Sequence, residues 1–298
     1  MFLADTTIPA YAQYMLGILS ASFALYVLVY AIGIFISRRR QSLVPSFYAY
    51  STFPGSYDVV YLALFMVYYV GNAALSLTQP PIESNPGSVA MFITMVSTGL
   101  QYVPMVIRIM LLPRPVTREP QITAMLPPPP RQMKLSLKLP EVAPLLKDVH
   151  LAFLAVGVSL MFSMLFEHSG LSEYLIDLFS CPKHQDIVTL FMKSDTTNCI
   201  LIAITGIIIA PIGEECFFRG FVYGAMRKHT GALVAALCSS LLFSVIHCSI
   251  PAMLPLIVFA LLQCLLYEKT GSLRAPIIAH AIFNSIQFLL MIFYPELA

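Results

Sequence analysis

The sequence has few charged residues and no tryptophan. Only 11% of its 298 residues are charged and 58% are hydrophobic, whereas a soluble domain carries about 25% charged residues. This shortage of charge excludes an ordinary soluble domain and predicts an all-α, polytopic bundle of transmembrane helices. Without tryptophan, the 15 tyrosines would have to supply most of the aromatic belt at the membrane interface.

Two further signals are missing. No basic residue precedes the first apolar run, so a cleavable signal peptide is not expected. No two cysteines form a C-x-x-C pair, and we expect the cysteines to be small hydrophobic residues of the helices rather than zinc ligands. They are Cys181, Cys199, Cys216, Cys238, Cys248 and Cys264.

About eight segments are apolar and long enough to cross a bilayer, which takes about 20 residues. They are 12–37, 57–78, 88–113, 148–167, 198–226, 231–249, 252–268 and 275–294. Four consecutive prolines at 127–130 cannot continue a helix. We therefore predict an N-terminal three-span unit of unassigned role (1–113), a proline-rich linker (114–146) and a C-terminal five-span membrane domain (147–298).

Basic residues are concentrated in alternate connections between these segments. If the N-terminus is outside, the outer connections hold only Lys183 and Lys193. The inner connections then hold Arg38, Arg39, Arg40, Arg114, Arg118, Arg131, Lys134, Lys138, Lys147, Arg227, Lys228, Lys269 and Arg274. Because Lys and Arg are enriched on the cytosolic side, we expect both termini outside and the linker in the cytosol.

Six polar residues interrupt the apolar segments of the C-terminal domain. Ionisable groups at membrane depth are expensive, and they are usually functional. Taken alone, Glu215 and Arg219 could form a structural ion pair, and His247 could be an interhelical hydrogen-bond partner. Together the six are hard to explain by packing and predict a catalytic site. They are Glu214, Glu215, Arg219, His247, His280 and Asn284.

The spacing of the acids predicts two different roles. Glu215 and Arg219 are four residues apart, so they face each other on a helix. Glu214 points about 100° away from Glu215, which leaves its carboxylate free to act as a general base.

The remaining residues complete a hydrolytic set that needs no serine or cysteine nucleophile. His247 closes the apolar run that contains Phe243 one turn earlier, and it could help Glu214 to activate a water molecule. His280 and Asn284 are four residues apart, so they share one helix face and could donate to an oxyanion. Glu215, Arg219 and Phe243 would then support the site.

This constellation resembles the three-motif signature of the CPBP family, which comprises the type II CAAX prenyl proteases and the bacteriocin-processing or Abi proteins. The motifs are Glu214-Glu215-x-x-x-Arg219, Phe243-x-x-x-His247 and His280-x-x-x-Asn284. The resemblance covers 196–294 and makes 147–298 the expected catalytic domain. It implies a helical intramembrane endopeptidase with a cavity open to the cytosol and with the same residue roles as those above.

Other functions remain open at the level of sequence. The first is a non-proteolytic membrane adaptor or bacteriocin-immunity protein on the same fold, and the second is a transporter with a proton relay of buried acids. No inverted repeat supports the transporter. Other intramembrane protease classes lack their motifs, because the sequence contains no H-E-x-x-H, G-x-G-D or G-x-S-G.

Cofactors, partners and location follow as expectations. No cofactor is favoured, because a metal would occupy the carboxylate that activates water. If zinc is bound, its ligands would be Glu214, His247 and His280. The expected partners are membrane lipid and a membrane-associated or prenylated peptide or protein, with no nucleic acid. Removal of the C-terminal tripeptide of prenylated CaaX proteins is one option. The membrane would be the plasma membrane or the endoplasmic reticulum, depending on the host.

Overall fold

The computed structural model describes residues 10–41, 87, 91–96, 98–100, 102 and 142–294. Within these ranges the chain forms helices and no strands, which confirms the predicted all-α membrane fold. The main helices are α1 (Ala10–Gln41), α2 (Val142–His168), α3 (Leu171–Phe179), α4 (Asp186–Lys193), α5 (196–230), α6 (Ala232–Val245), α7 (Ile250–Thr270) and α8 (Arg274–Phe293).

Five of the described helices are apolar and long enough to cross a membrane, and they match five predicted spans to within a few residues. They are Ala10–Ile34, Leu146–His168, Thr196–Arg227, Ile250–Thr270 and Arg274–Phe293. The predicted span 57–78 lies outside the described residues, as does much of 88–113, so the number of spans stays a prediction. Most of the predicted linker also lies outside them, and α2 begins at Val142, within the last residues assigned to the linker.

The predicted span 231–249 is too long. Helix α6 ends at Val245 after 14 residues, about 21 Å, whereas the hydrocarbon core is about 30 Å thick. The chain then turns through Cys248, whose φ of 52° is left-handed, and Ser249 caps α7 by accepting from the Ala252 N–H at 3.4 Å. His247 therefore lies in a turn between helices rather than within a helix.

Helix α5 departs twice from regular α geometry, because Thr205–Ile209 and Cys216–Tyr223 are π-helical. Pro211 accounts for the first departure, since it has no N–H and its ring clashes with the carbonyl four residues earlier. The Ala210 N–H bonds instead to the Thr205 carbonyl, five residues back. In this wider register the donor for the Gly206 carbonyl would be Pro211, so Gly206 needs a donor from elsewhere.

A single residue reverses the chain between α5 and α6. Gly231 adopts φ 101° and ψ 169°, a conformation open essentially only to glycine. Helix α6 therefore folds back along α5, and the Ser239 hydroxyl donates to the Phe218 carbonyl at 3.1 Å. This bond supplies a donor to the second π-helical segment.

The other helices enclose this hairpin. Helix α2 packs against α7 and α8, and α1 packs against α6 and the end of α5. A buried aromatic cluster fills the centre and contains Phe217, Phe218, Phe221, Phe243, Phe259 and Phe283. Large apolar side chains are exposed on the outside, among them Leu154, Met164, Leu165, Leu233 and Phe293, as expected for a surface that faces lipid.

Two ion pairs connect the ends of neighbouring helices. The Arg227 Nε donates to the Glu268 Oε1 at 2.9 Å, and the Tyr223 hydroxyl donates to the same oxygen. The Arg274 Nη2 lies 2.9 Å from the Asp148 Oδ2. These contacts join α5 to α7 and α8 to α2.

We expect Glu268→Ala to lower the free energy of unfolding by about 1–2 kcal/mol, because it removes the acceptor that Tyr223 and Arg227 share. Thermal unfolding in detergent measures the change. Glu173→Ala, on an exposed acid of α3, is the control and should be neutral. Equal midpoints for the two variants would contradict a structural role for Glu268.

Candidate active site

The Glu215 carboxylate lies at the centre of the candidate site. Its Oε1 accepts from the Arg219 Nη1 at 3.0 Å and from the His280 Nδ1 at 2.8 Å. The side chains of Glu215 and Arg219 are both completely buried. A buried carboxylate needs such partners, because removing a charge from water costs several kcal/mol. The pairing that the i, i+4 spacing predicted is therefore present, and it also joins α5 to α8.

Glu214 has a different environment from its neighbour. Its side chain is 14% exposed, and its Oε2 lies 3.9 Å from the His280 Nε2, which is beyond hydrogen-bonding distance. The same oxygen has no hydrogen-bond partner among the described residues. The Oε2 of Glu215 also has no partner in the described part of the chain, so the two acids differ in their Oε1 contacts and exposure: Glu215 is fully buried and accepts two hydrogen bonds on Oε1, whereas Glu214 is partly exposed.

Phe243, which begins the second motif, packs against this network. The Arg219 Cζ lies 4.6 Å above the centroid of the Phe243 ring, a cation–π contact. The same ring lies 4.7 Å from the His247 ring and 5.9 Å from the His280 ring, centroid to centroid. Phe243 therefore contacts one charged residue and both histidines of the predicted site.

The orientation of His247 fixes which ring nitrogen can act as a base. Its Nδ1 lies 2.7 Å from the Phe243 carbonyl oxygen. A carbonyl only accepts, so Nδ1 must carry the hydrogen, and in the neutral ring Nε2 has the lone pair. Glu214 and His280 are close enough to interact electrostatically with the His247 ring. The His247 Nε2 is therefore the ring nitrogen that can accept a proton.

Asn284 has a partner that the motif did not reveal. Its Nδ2 donates to the Gly206 carbonyl at 2.6 Å, the group that Pro211 leaves without a backbone donor. Because the amide nitrogen carries two hydrogens, this bond leaves one for another acceptor. Asn284 therefore supplies the hydrogen-bond donor that the first π-helical segment of α5 lacks, in addition to any role in catalysis.

Sequence reasoning missed several contacts of the site. The Ala260 carbonyl accepts from the Arg219 Nη2 at 3.4 Å, and the Phe259 ring lies 5.1 Å from the His280 ring. Ser239 supports the π-helical segment that carries Arg219. None of these residues has a motif of its own, although Pro211 inside an apolar run was a signal for the irregular turn near Gly206.

The sequence left open a zinc ion bound by Glu214, His247 and His280. No three His, Cys, Asp or Glu side chains within the described ranges converge as metal ligands, and those ranges include Glu214, His247 and His280. Structural and catalytic zinc sites need at least three such ligands around one point.

The fold and the site together define a class of protein, a polytopic helical membrane protein with a buried Glu–Arg–His network beside a free carboxylate. Residues 196–286 match the family model described as type II CAAX prenyl endopeptidase, Rce1-like. The match covers all three motifs and confirms the resemblance to the CPBP family for this part of the chain.

A curated relative agrees with the family match. The chain is 30% identical over 101 residues to YdiL of Bacillus subtilis (strain 168), whose name provisionally describes it as a membrane peptidase. The alignment covers 31% of this chain and 41% of that relative. No solved structure gives a significant match to the chain.

We expect Arg219→Ala to lower the free energy of unfolding by about 3–5 kcal/mol, because it leaves Glu215 charged and buried without its main partner. Chemical unfolding in detergent measures this change. Arg227→Ala is the matched control, since the Arg227 side chain is 26% exposed in its ion pair, and it should cost only about 1 kcal/mol. Equal losses for the two arginines would contradict the central role given to Glu215.

Proposed function

We propose that this chain is an intramembrane endopeptidase that hydrolyses a peptide bond near the cytosolic face of the membrane. The observation that supports this function best is the difference between the two adjacent acids. Glu215 accepts from both Arg219 and His280 through its Oε1, whereas the Glu214 Oε2 lies 3.9 Å from the His280 Nε2, beyond hydrogen-bonding distance. The Oε2 of each acid has no hydrogen-bond partner among the described residues, so the difference between the two acids lies in the partners of Glu215 and in the partial exposure of Glu214. A committed acid next to an available one is suited to general-base chemistry.

In the proposed reaction, a water molecule is held between the Glu214 carboxylate and the His247 Nε2. Glu214 takes a proton from the water while the water oxygen forms a bond to the substrate carbonyl carbon. The tetrahedral intermediate then collapses, the C–N bond breaks, and the proton held by Glu214 passes to the leaving amine. The carboxylate is restored, and no covalent enzyme intermediate is formed.

We assign the oxyanion to His280 and Asn284. His280 uses Nδ1 to donate to Glu215, so it can donate to an oxyanion only through a protonated Nε2. Asn284 uses one amide hydrogen for Gly206, so only its second is available. Glu215 holds the His280 side chain and the Gly206 carbonyl holds the Asn284 side chain before any substrate binds. These donors are therefore preorganised, which is the property that makes such groups effective.

The proposed reaction uses no metal, because Glu214 must keep its carboxylate for the water. For the substrate we propose a prenylated CaaX peptide, which loses its C-terminal tripeptide. The name of the matching family supports this substrate, and the name of YdiL supports peptidase activity in general. No specific observation favours an adaptor or immunity function, and the chain retains every residue of the predicted hydrolytic set.

The purified protein should cleave a fluorogenic farnesylated CaaX peptide in preference to its unprenylated twin. Glu214→Gln and His247→Ala should each lower kcat by about 10²–10⁴, the range for a general base, while thermal unfolding stays near that of the wild type. A zinc chelator should leave the rate unchanged.

Glu173→Gln is the matched control for Glu214→Gln, since it alters an exposed acid of α3. Full activity of Glu214→Gln would refute the mechanism, and inhibition by chelator that zinc reverses would refute the metal-free proposal. Absence of cleavage of both peptides by the wild type would count against the CaaX substrate and favour another substrate or the adaptor function.

Asn284→Ala should reduce both rate and stability. Loss of an oxyanion donor lowers kcat by about 10²–10³, and loss of the Gly206 partner lowers the free energy of unfolding by about 1–3 kcal/mol. Kinetics and thermal unfolding of the same sample separate the two effects, with Gln287→Ala on α8 as the control. A loss of stability with normal kcat would remove Asn284 from the catalytic step.

A further inference from the structure

Two buried tyrosines from the N-terminal part of the chain contact α5 on either side of the first motif. Both lie outside 196–286, the range that the family model matches. Tyr26 of α1 is 2% exposed, and its hydroxyl donates to the Val222 carbonyl at 3.3 Å. Val222 belongs to the π-helical segment Cys216–Tyr223, three residues after Arg219.

Tyr102 makes the second contact, at the residue before Glu214. Its ring is 4% exposed and packs so tightly on Gly213 that a Cβ added there would overlap three ring carbons. Nearby, a Cβ added at Gly99 would lie 3.7 Å from the Ile209 side chain, which is an ordinary contact. The described residues of the 91–102 segment therefore pack along α5 up to the start of the motif.

We propose that Tyr26 and Tyr102 are positioning residues that hold α5 in its irregular register around Glu214, Glu215 and Arg219. The catalytic part of this inference rests on the proposed function. Together the two contacts form a clamp, with Tyr102 on Gly213 at one end and Tyr26 on Val222 at the other.

The physical basis is the need to satisfy backbone groups where water is absent. A change between α-helical and π-helical hydrogen bonding can leave a carbonyl without its regular donor, and an unsatisfied carbonyl in a membrane costs several kcal/mol. Ser239 supplies one donor and Tyr26 supplies another. If the segment relaxed by one residue, the side chains that follow would rotate by about 100° relative to the neighbouring helices, and Arg219 would lose its contacts with the Phe243 ring and the Ala260 carbonyl.

The hydroxyl of Tyr26 is tested first because its removal leaves the ring in place. In hydrolysis of the farnesylated peptide, Tyr26→Phe should lower kcat about threefold to tenfold, the equivalent of one hydrogen bond, with KM changed by less than about twofold. Tyr14→Phe, on the same helix with a half-exposed ring, is the control. An unchanged kcat for Tyr26→Phe would overturn its role as a positioning residue.

The contact of Tyr102 with Gly213 is tested by a double-mutant cycle. Alanine is intrinsically favoured over glycine in helices, so any loss in Gly213→Ala comes from the clash with the ring. We expect Gly213→Ala to lower kcat about tenfold or more and to lower the unfolding midpoint. In a Tyr102→Ala background the same change should alter kcat by less than about twofold. Gly157→Ala, where a Cβ meets open space, is the control.

The unfolding midpoints separate this inference from the proposed function. If the wild type cleaves neither peptide, the CaaX substrate fails, and the double-mutant cycle is judged on the midpoints alone. A drop in midpoint for Gly213→Ala that disappears in the Tyr102→Ala background supports the clamp. An equal drop in both backgrounds overturns it.

Discussion

The buried Glu215 carboxylate is the constraint on which the rest of the structure depends. A charge with no exposure must have partners close by, and Glu215 takes one from its own helix and one from α8. Arg219 in turn needs its own contacts, and it finds the Phe243 ring on α6 and the Ala260 carbonyl on α7. One buried charge thus sets the relative positions of four helices.

The second constraint is the membrane requirement that backbone groups be satisfied within the protein. Helix α5 departs from regular α geometry at two places, and at each place side chains from other helices donate hydrogen bonds to its carbonyls. Asn284 bonds to Gly206, Ser239 to Phe218 and Tyr26 to Val222. The irregular segments of α5 are therefore supported by donors that the assembled bundle provides, and the motif that carries Glu214 and Arg219 lies in the same stretch as these packing contacts.

Much of the fold and site could be predicted from sequence because it follows local rules. Hydropathy gave the apolar spans, and the i, i+4 spacing gave the pairing of Glu215 with Arg219. The early end of α6, the π-helical turns and the partner of Asn284 could not be predicted in this way. They depend on contacts between residues far apart in sequence, such as Asn284 and Gly206, and no local pattern encodes such a pair.

The geometry of α5 also explains why Glu214 rather than Glu215 is suited to activating water. Adjacent residues on a helix point about 100° apart, so two consecutive acids cannot share one environment. Glu215 points towards Arg219 and His280 and is fully buried, whereas Glu214 retains 14% exposure and an oxygen 3.9 Å from His280. Exchanging their roles would require α5 to rotate, which would separate Arg219 from Phe243 and leave the buried charge without support. The different environments of the two acids are therefore a consequence of packing, and under the proposed function the residues that maintain the register of α5 would also maintain the chemistry.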